Sequence, residues 1–224
     1  MRRGTVFISW CTILLVSIPS IGYADGPGLS GKFVGVYGGL TIPMALTDGR
    51  GVGDLSAVRV SDIDLVNSPI YGIKVGLLPP SLYAKSPFRI ETELFYTNPH
   101  AKQQDVTVSG PSGIKTRNEA GAHMRVTTWA LNVVFRNPGL RFEPYAGVGL
   151  GIFWARVSGQ DFATSADTSP GLNALTGARF ALTERVAIFT EYKFNYAKFD
   201  WGRDVALHSV YQAHHVVGGV ALGF

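Results

Sequence analysis

From Phe33 onward, apolar and polar positions alternate with a period of two in eight separate stretches. That is the pattern of strands presenting one apolar face. The stretches are Phe33–Ile42, Val66–Leu77, Phe88–Tyr96, His123–Arg136, Phe142–Trp154, Leu172–Leu182, Val186–Tyr196 and Tyr211–Phe224. One face holds Val34, Val36, Leu40, Tyr71, Ile73, Ile90, Leu94, Trp129, Leu131, Val133, Phe135, Val148, Leu150 and Trp154. The other is rich in glycine (Gly35, Gly39, Gly72, Gly147, Gly149, Gly151) and carries charges of both signs. A soluble sandwich would intersperse its charges with Thr and Lys on the solvent face and would need a second sheet. Small residues and mixed charges suit the narrow interior of a barrel whose apolar face is outside.

Connection lengths point the same way. The stretches from Pro43 to Leu65, Thr97 to Ala122 and Ala155 to Gly171 are long, and that from Ala197 to Val210 is of medium length. Those from Leu78 to Ser86, Asn137 to Arg141 and Thr183 to Arg185 are short. Membrane barrels alternate short periplasmic turns with longer extracellular loops in this way. The last strand closes on Phe224, a terminal aromatic typical of such barrels. The predicted fold is an all-β, eight-stranded antiparallel up-and-down transmembrane β-barrel over residues 25–224. Gly110–Gly113 (GPSG) is a turn signal, so the second long loop is read as two extended strands meeting at that tip.

The first residues add a compartment. Arg2 and Arg3 precede the apolar run Val6–Ile18, and Gly22-Tyr23-Ala24 supplies a small-residue cleavage site. This predicts a secretory signal peptide over 1–24, the run being short for a spanning helix. Cys11, the only cysteine, falls inside it, so the mature chain would have neither disulfides nor thiolate chemistry. Setting aside Arg2 and Arg3 leaves 18 basic residues against 16 acidic ones, a net charge of +2. No Lys/Arg cluster accompanies that small excess, so no nucleic-acid partner is expected. A modestly positive mean hydropathy is too low for a helical membrane protein and suits a barrel.

FVGVYGGL (Phe33–Leu40), IETELFYTNPHAKQQ (Ile90–Gln104), PYAGVGLG (Pro144–Gly151), TEYKFN (Thr190–Asn195) and HHVVGGVALGF (His214–Phe224) together resemble the OmpA-like, opacity-protein type of outer-membrane β-barrel. The likeness covers essentially the whole mature chain. Val217 and Leu222 depart from the usual end motif of such barrels, while Gly219 and Phe224 match it. The resemblance implies the cell outer membrane of a Gram-negative-type bacterium and assembly by the barrel-assembly machinery through the C-terminal strand. It implies outer-membrane lipid as surroundings and a monomer. The family includes adhesins, immune-evasion proteins and structural anchors; no peptidoglycan-binding domain follows this barrel, which leaves the anchoring role without support.

Candidate chemistry starts with the inward charges: Lys74, Arg89, Glu91, Glu93, Arg136, Arg179, Glu191 and Lys193. Lys74 is expected beside Glu91, and Arg179 beside Glu191. Eight strands enclose just enough room for side chains to fill, so these charges are read as a packed lumen network rather than a passage for small solutes or an acid/base pair. Tyr71, Tyr96, Trp129, Phe135, Trp154, Tyr196 and Phe224 are assigned to the lipid-facing surface and its aromatic girdles. His214 and His215 point to opposite faces and cannot share a metal; loop partners such as His100 or His208 would be needed. An acyl hydrolase acting on outer-leaflet lipid is the competing class. It would need His214, on the outer face, beside a nucleophile, and the nearest hydroxyls by this reading are Ser209, which alternates inward, and Thr190. A lipocalin-like binder would need the two faces reversed. No motif for a cofactor is present. Phe199 and Trp201 in the last loop are assigned to a girdle or to loop packing, with a ligand-stacking platform as the alternative. The function read from the sequence is therefore a non-enzymatic envelope or surface-contact role through the extracellular loops, whose mixed charges name no partner.

Overall fold

The computed structural model describes residues 32–51, 59–61, 63–77, 86–110, 113–119, 121–138, 141–159, 164–201 and 207–224. The leader predicted over 1–24 and the residues after it up to Gly31 lie outside these. The strands in chain order are β1 Phe33–Pro43, β2 Thr47–Gly51, β3 Arg59–Val60, β4 Leu65–Val66, β5 Ser68–Leu77, β6 Phe88–Thr97 and β7 His100–Ala101. They continue with β8 Gln104–Gly110, β9 Gly113–Glu119, β10 Ala122–Arg136, β11 Phe142–Gly159, β12 Ser165–Ala181, β13 Val186–Asp200 and β14 Leu207–Gly223.

Eight of these close a barrel in the order β1-β5-β6-β10-β11-β12-β13-β14, every neighbouring pair antiparallel, with β14 returning to β1. The closing ladder runs from Phe33↔Gly223 to Pro43↔Ala213, eleven residues of β1 in unbroken register. Closure leaves these strands no free edge over the barrel wall, which is what allows backbone amides to face an apolar medium without loss. No helix among the described residues is long and apolar enough to cross a membrane.

Alternation becomes inside and outside. Val36, Tyr71, Ile73, Leu131, Val133, Phe135, Val148 and Leu150 all lie outside and exposed, while Lys74, Arg89, Glu91, Glu93, Asn132 and Glu191 are buried. Glycines on the inner face admit close approach: a Cβ on Gly76 would lie 1.8 Å from the buried ring of Phe33. Such contacts keep the barrel tight.

The short connections define a turn side, and the long ones a loop side. In the β12–β13 turn, the Thr183 hydroxyl accepts from the amides of Arg185 and Val186. On the loop side the chain differs from the sequence reading. The predicted fifth and sixth strands run on as a continuous ladder to Val157↔Ser165, so most of the expected long loop from Ala155 to Gly171 is strand. Likewise β13 extends to Asp200 and β14 begins at Leu207. Period two reveals a strand only where one face meets lipid; above that level Arg156, Ser158 and Thr168 are as polar as a loop, yet the ladder bonds persist.

Strands also form within the two longest loops. β8 and β9 form the expected hairpin, paired from Gln104↔Glu119 to Gly110↔Gly113. Gly113 has φ +104°, a conformation that favours glycine. This hairpin is joined to the barrel wall: β14 pairs β2, β2 pairs β3, and β3 pairs β8.

Candidate functional site

The barrel interior is stratified. Nearest the turn side, Glu143 accepts from three guanidiniums: Arg136 Nη1 to Oε2 at 2.9 Å, and Arg89 Nη1 and Arg179 Nη1 to Oε1 at 3.3 Å each. Arg89 Nε also donates to Glu91 Oε1 at 2.8 Å. The Phe33 ring lies under this group, 4.3 Å from the Arg179 guanidinium carbon and 5.0 Å from that of Arg89.

The next layer is built on two lysines. Lys74 Nζ donates to Glu191 Oε2 at 2.6 Å and to Glu91 Oε2 at 3.4 Å. Lys193 Nζ meets Glu93, and reaches Glu191 Oε1 at 3.0 Å. Tyr37 and Tyr145 donate their hydroxyls to Glu93 and Glu191 at 2.9 and 3.0 Å.

Above the lysines the charges give way to neutral donors in one directed chain. Asn173 donates to Glu93 Oε1 and to Asn132 Oδ1, and Asn195 donates to Asn173 Oδ1. His215 Nε2 sits 2.7 Å from Asn195 Oδ1, with its Nδ1 2.9 Å from the Thr41 hydroxyl. Thr97 donates to Thr41, and Ser68 and Thr97 are 2.8 Å apart. The loop side is capped by an apolar layer of Met124, Val126, Phe153, Phe199, Trp201 and Tyr211, all buried together.

The eight charges expected inside thus converge, but not in all the expected pairs. Lys74 meets Glu91. Arg179 does not reach Glu191 by any recorded bond; its partners are Glu143 and Glu91. Glu143 is its direct ladder partner across β11 and β12, whereas Glu191 stands opposite Gly177. Sequence reasoning missed Glu143, Tyr37 as a donor, and Tyr145. Glu143 and Tyr145 share the inward parity of Gly147, Gly149 and Gly151, a signal present in the sequence.

On the outside, the Tyr71 and Tyr96 rings pack at a tilt of 36° with centroids 5.3 Å apart. Thr127 stands in register with both Tyr96 and Trp154, which puts those two aromatics on one level of the wall. Trp129 lies one pleat step toward the turns, and its indole N–H donates to Thr92 Oγ1 at 2.9 Å. At the turn side Phe135 packs edge-on against Phe88 at 5.5 Å, Phe142 pairs with Phe180, and Phe224 is exposed. Phe88, Phe142 and Phe180 were not anticipated as part of this aromatic row; each is an outward residue close to a short connection.

His214 faces outward as expected, but the hydroxyl it meets is neither Ser209 nor Thr190. Its Nδ1 lies 2.5 Å from the Tyr192 hydroxyl, and its ring is 5.2 Å from that of Phe194. Ser209 points inward and accepts from Trp201 Nε1; Thr190 donates to the Val217 carbonyl. Phe199 and Trp201 are buried in the apolar cap and offer no open stacking face. His208 contacts Asp200, while His100 stands in register with His123, the rings 6.0 Å apart. Among the described residues no group of three or more His, Cys, Asp or Glu is placed to hold a metal ion.

No protein-family model and no curated protein matches the chain. Solved structures do match. Neisserial surface protein A superposes with a TM-score of 0.53 at 17% identity, covering 87% of this chain and 99% of the other. The outer membrane protein OprG of Pseudomonas aeruginosa gives 0.52 at 14% identity, covering 87% and 96%. Identities this low speak to architecture alone. The chain has the fold of the eight-stranded outer-membrane β-barrels, the architecture of the OmpA-like, opacity-type proteins that its sequence resembles.

Proposed function

We propose that this chain is exported, inserted into the outer membrane by the barrel-assembly machinery through its C-terminal strand, and acts there as a monomeric, non-enzymatic surface protein. Its contacts are made by the loop-side sheet. One observation carries this reading: β2, β3, β8 and β9 continue from β14 as a single hydrogen-bonded surface instead of separate loops. Among the described residues β9 pairs only with β8, so one strand edge stays open at the far end of that surface. Open edges accept an extended segment of another chain through main-chain hydrogen bonds. Ile114, on this edge strand, is 75% exposed and offers an apolar contact beside it.

The interior favours a surface role over transport, since charged, amide and aromatic layers succeed one another across the lumen. An acyl-hydrolase role draws no support from His214, whose near hydroxyl is a tyrosine on the same outer face. The test compares bacteria displaying the full chain with bacteria displaying a variant in which 104–119 is replaced by a short glycine turn. Both are assayed for heat-modifiable migration and for adhesion to immobilised matrix and surface proteins. The expected result is two folded barrels, of which only the full chain adheres above the empty strain. Equal adhesion, or a change in the outer-leaflet lipid seen by mass spectrometry, would overturn the reading.

A further inference from the structure

We propose that the turn-side end of the lumen binds one small monovalent anion of the halide or nitrate class, held by the guanidiniums of Arg136 and Arg179. The first argument is charge. The buried ionic network comprises Lys74, Arg89, Arg136, Arg179 and Lys193 against Glu91, Glu93, Glu143 and Glu191, an excess of one positive charge. That excess is local. Lys74 and Lys193 are met by Glu191 and Glu93. This leaves Arg89, Arg136 and Arg179 to share Glu91 and Glu143.

The second argument is hydrogen bonding. Nε and Nη2 of Arg136, and the same two atoms of Arg179, are buried without a hydrogen-bond partner. The nearest carboxylate oxygen recorded for Arg179 Nη2, on Glu91, is 3.7 Å away, beyond bonding distance. Both residues are about 2% exposed, and buried guanidinium N–H groups are costly unless an acceptor reaches them. Both donate through Nη1 to Glu143, one to each carboxylate oxygen, so the two guanidiniums flank a single carboxylate at the turn-side end of the lumen.

None of the three turn-side connections supplies a buried carboxylate as the missing acceptor. The connections 78–85 and 137–141 contain no acidic residue and add Lys85 and Arg141. Glu184, in the third turn, is exposed to solvent. Phe33 supplies the face of a ring but no charge. A single negative charge balances the network, whereas sulfate or another dianion would overshoot it. The ligand is therefore monovalent and compact.

The experiment uses the mature chain refolded in zwitterionic detergent. Its thermal midpoint is followed against sodium bromide and against sodium gluconate at equal ionic strength. Binding to the folded state alone predicts a midpoint that rises with bromide, beyond any change with gluconate, in proportion to the logarithm of one plus concentration over Kd. Arg136→Gln removes the excess charge, so the bromide and gluconate curves should coincide in that variant. Arg179→Gln serves as the second variant should Arg136→Gln not refold. Crystals of the unaltered chain grown in bromide should show an anomalous peak within hydrogen-bond distance of the Arg136 and Arg179 guanidiniums. Coincident curves for the unaltered chain, a bromide response that survives both substitutions, or bromide only at the protein surface would each overturn the proposal. Those results would mean that water satisfies the network instead.

Discussion

Glu143 is the carboxylate that all three guanidiniums share, and it is 5% exposed. Its replacement by glutamine removes a buried charge while leaving three cations in place. Breaking a buried pair from one side is far more costly than its net contribution suggests, on the order of 3–5 kcal/mol. Glu143→Gln should therefore lower the urea midpoint of the refolded barrel markedly, with the heat-modifiable fraction falling alongside. Glu184→Gln, in the exposed β12–β13 turn, should leave both readouts within error. The same contrast separates the lumen residues from the histidines outside. His215 is a link in a hydrogen-bonded chain from Glu93 to Ser68, whereas His214 sits among Tyr192 and Phe194 on the wall.

At the scale of elements, the barrel strands and the loop-side strands obey different rules. β10 places Trp129, Leu131, Val133 and Phe135 outward in sequence, all exposed, and a charge there would face lipid. Trp129→Arg, one pleat step turnward of the level of Tyr96 and Trp154, should cost about 2 kcal/mol. Equilibrium urea unfolding in lipid vesicles measures this. Ile114→Arg, also exposed but on β9 of the hairpin, should change stability by less than about 0.5 kcal/mol. Equal losses at the two positions would mean that the hairpin also lies in the bilayer. The length of the strands tells the same story. β11 has 18 residues against 10 in β6. At roughly 3.3 Å per residue, the difference carries that side of the barrel well beyond a bilayer.

For the whole molecule, the order of the lumen layers decides permeability. Three arginines, two lysines, a relay of asparagine and histidine, and an apolar cap lie between the two ends, each spanning the interior of an eight-stranded barrel. Planar-bilayer recordings of the refolded chain should therefore show no steady conductance. Phe199→Ala should not create one, because the ionic layers beneath the cap remain closed. A stable open level in the unaltered chain would contradict the layered lumen. What remains available to the surroundings is the outer wall, for lipid, and the loop-side sheet.

The sequence by itself determined the eight barrel strands, their antiparallel order and which residues face inward. A two-residue period is a local property, and lipid outside with a crowded polar lumen inside leaves no ambiguity between the faces. Val36, Ile73 and Leu131 could be placed outside, and Lys74, Glu91 and Lys193 inside, from parity alone. The ends of β11 to β14 could not, because above the bilayer both faces are polar and the alternation fades while the hydrogen bonds continue. Only the tertiary structure decided how the inward charges pair. Barrel closure and strand stagger bring together residues far apart in sequence, so that Lys74 meets Glu191 and Arg89 meets Glu143. It also decided that the two longest loops join one sheet through β14, since those pairings depend on where the barrel wall delivers the ends of each strand.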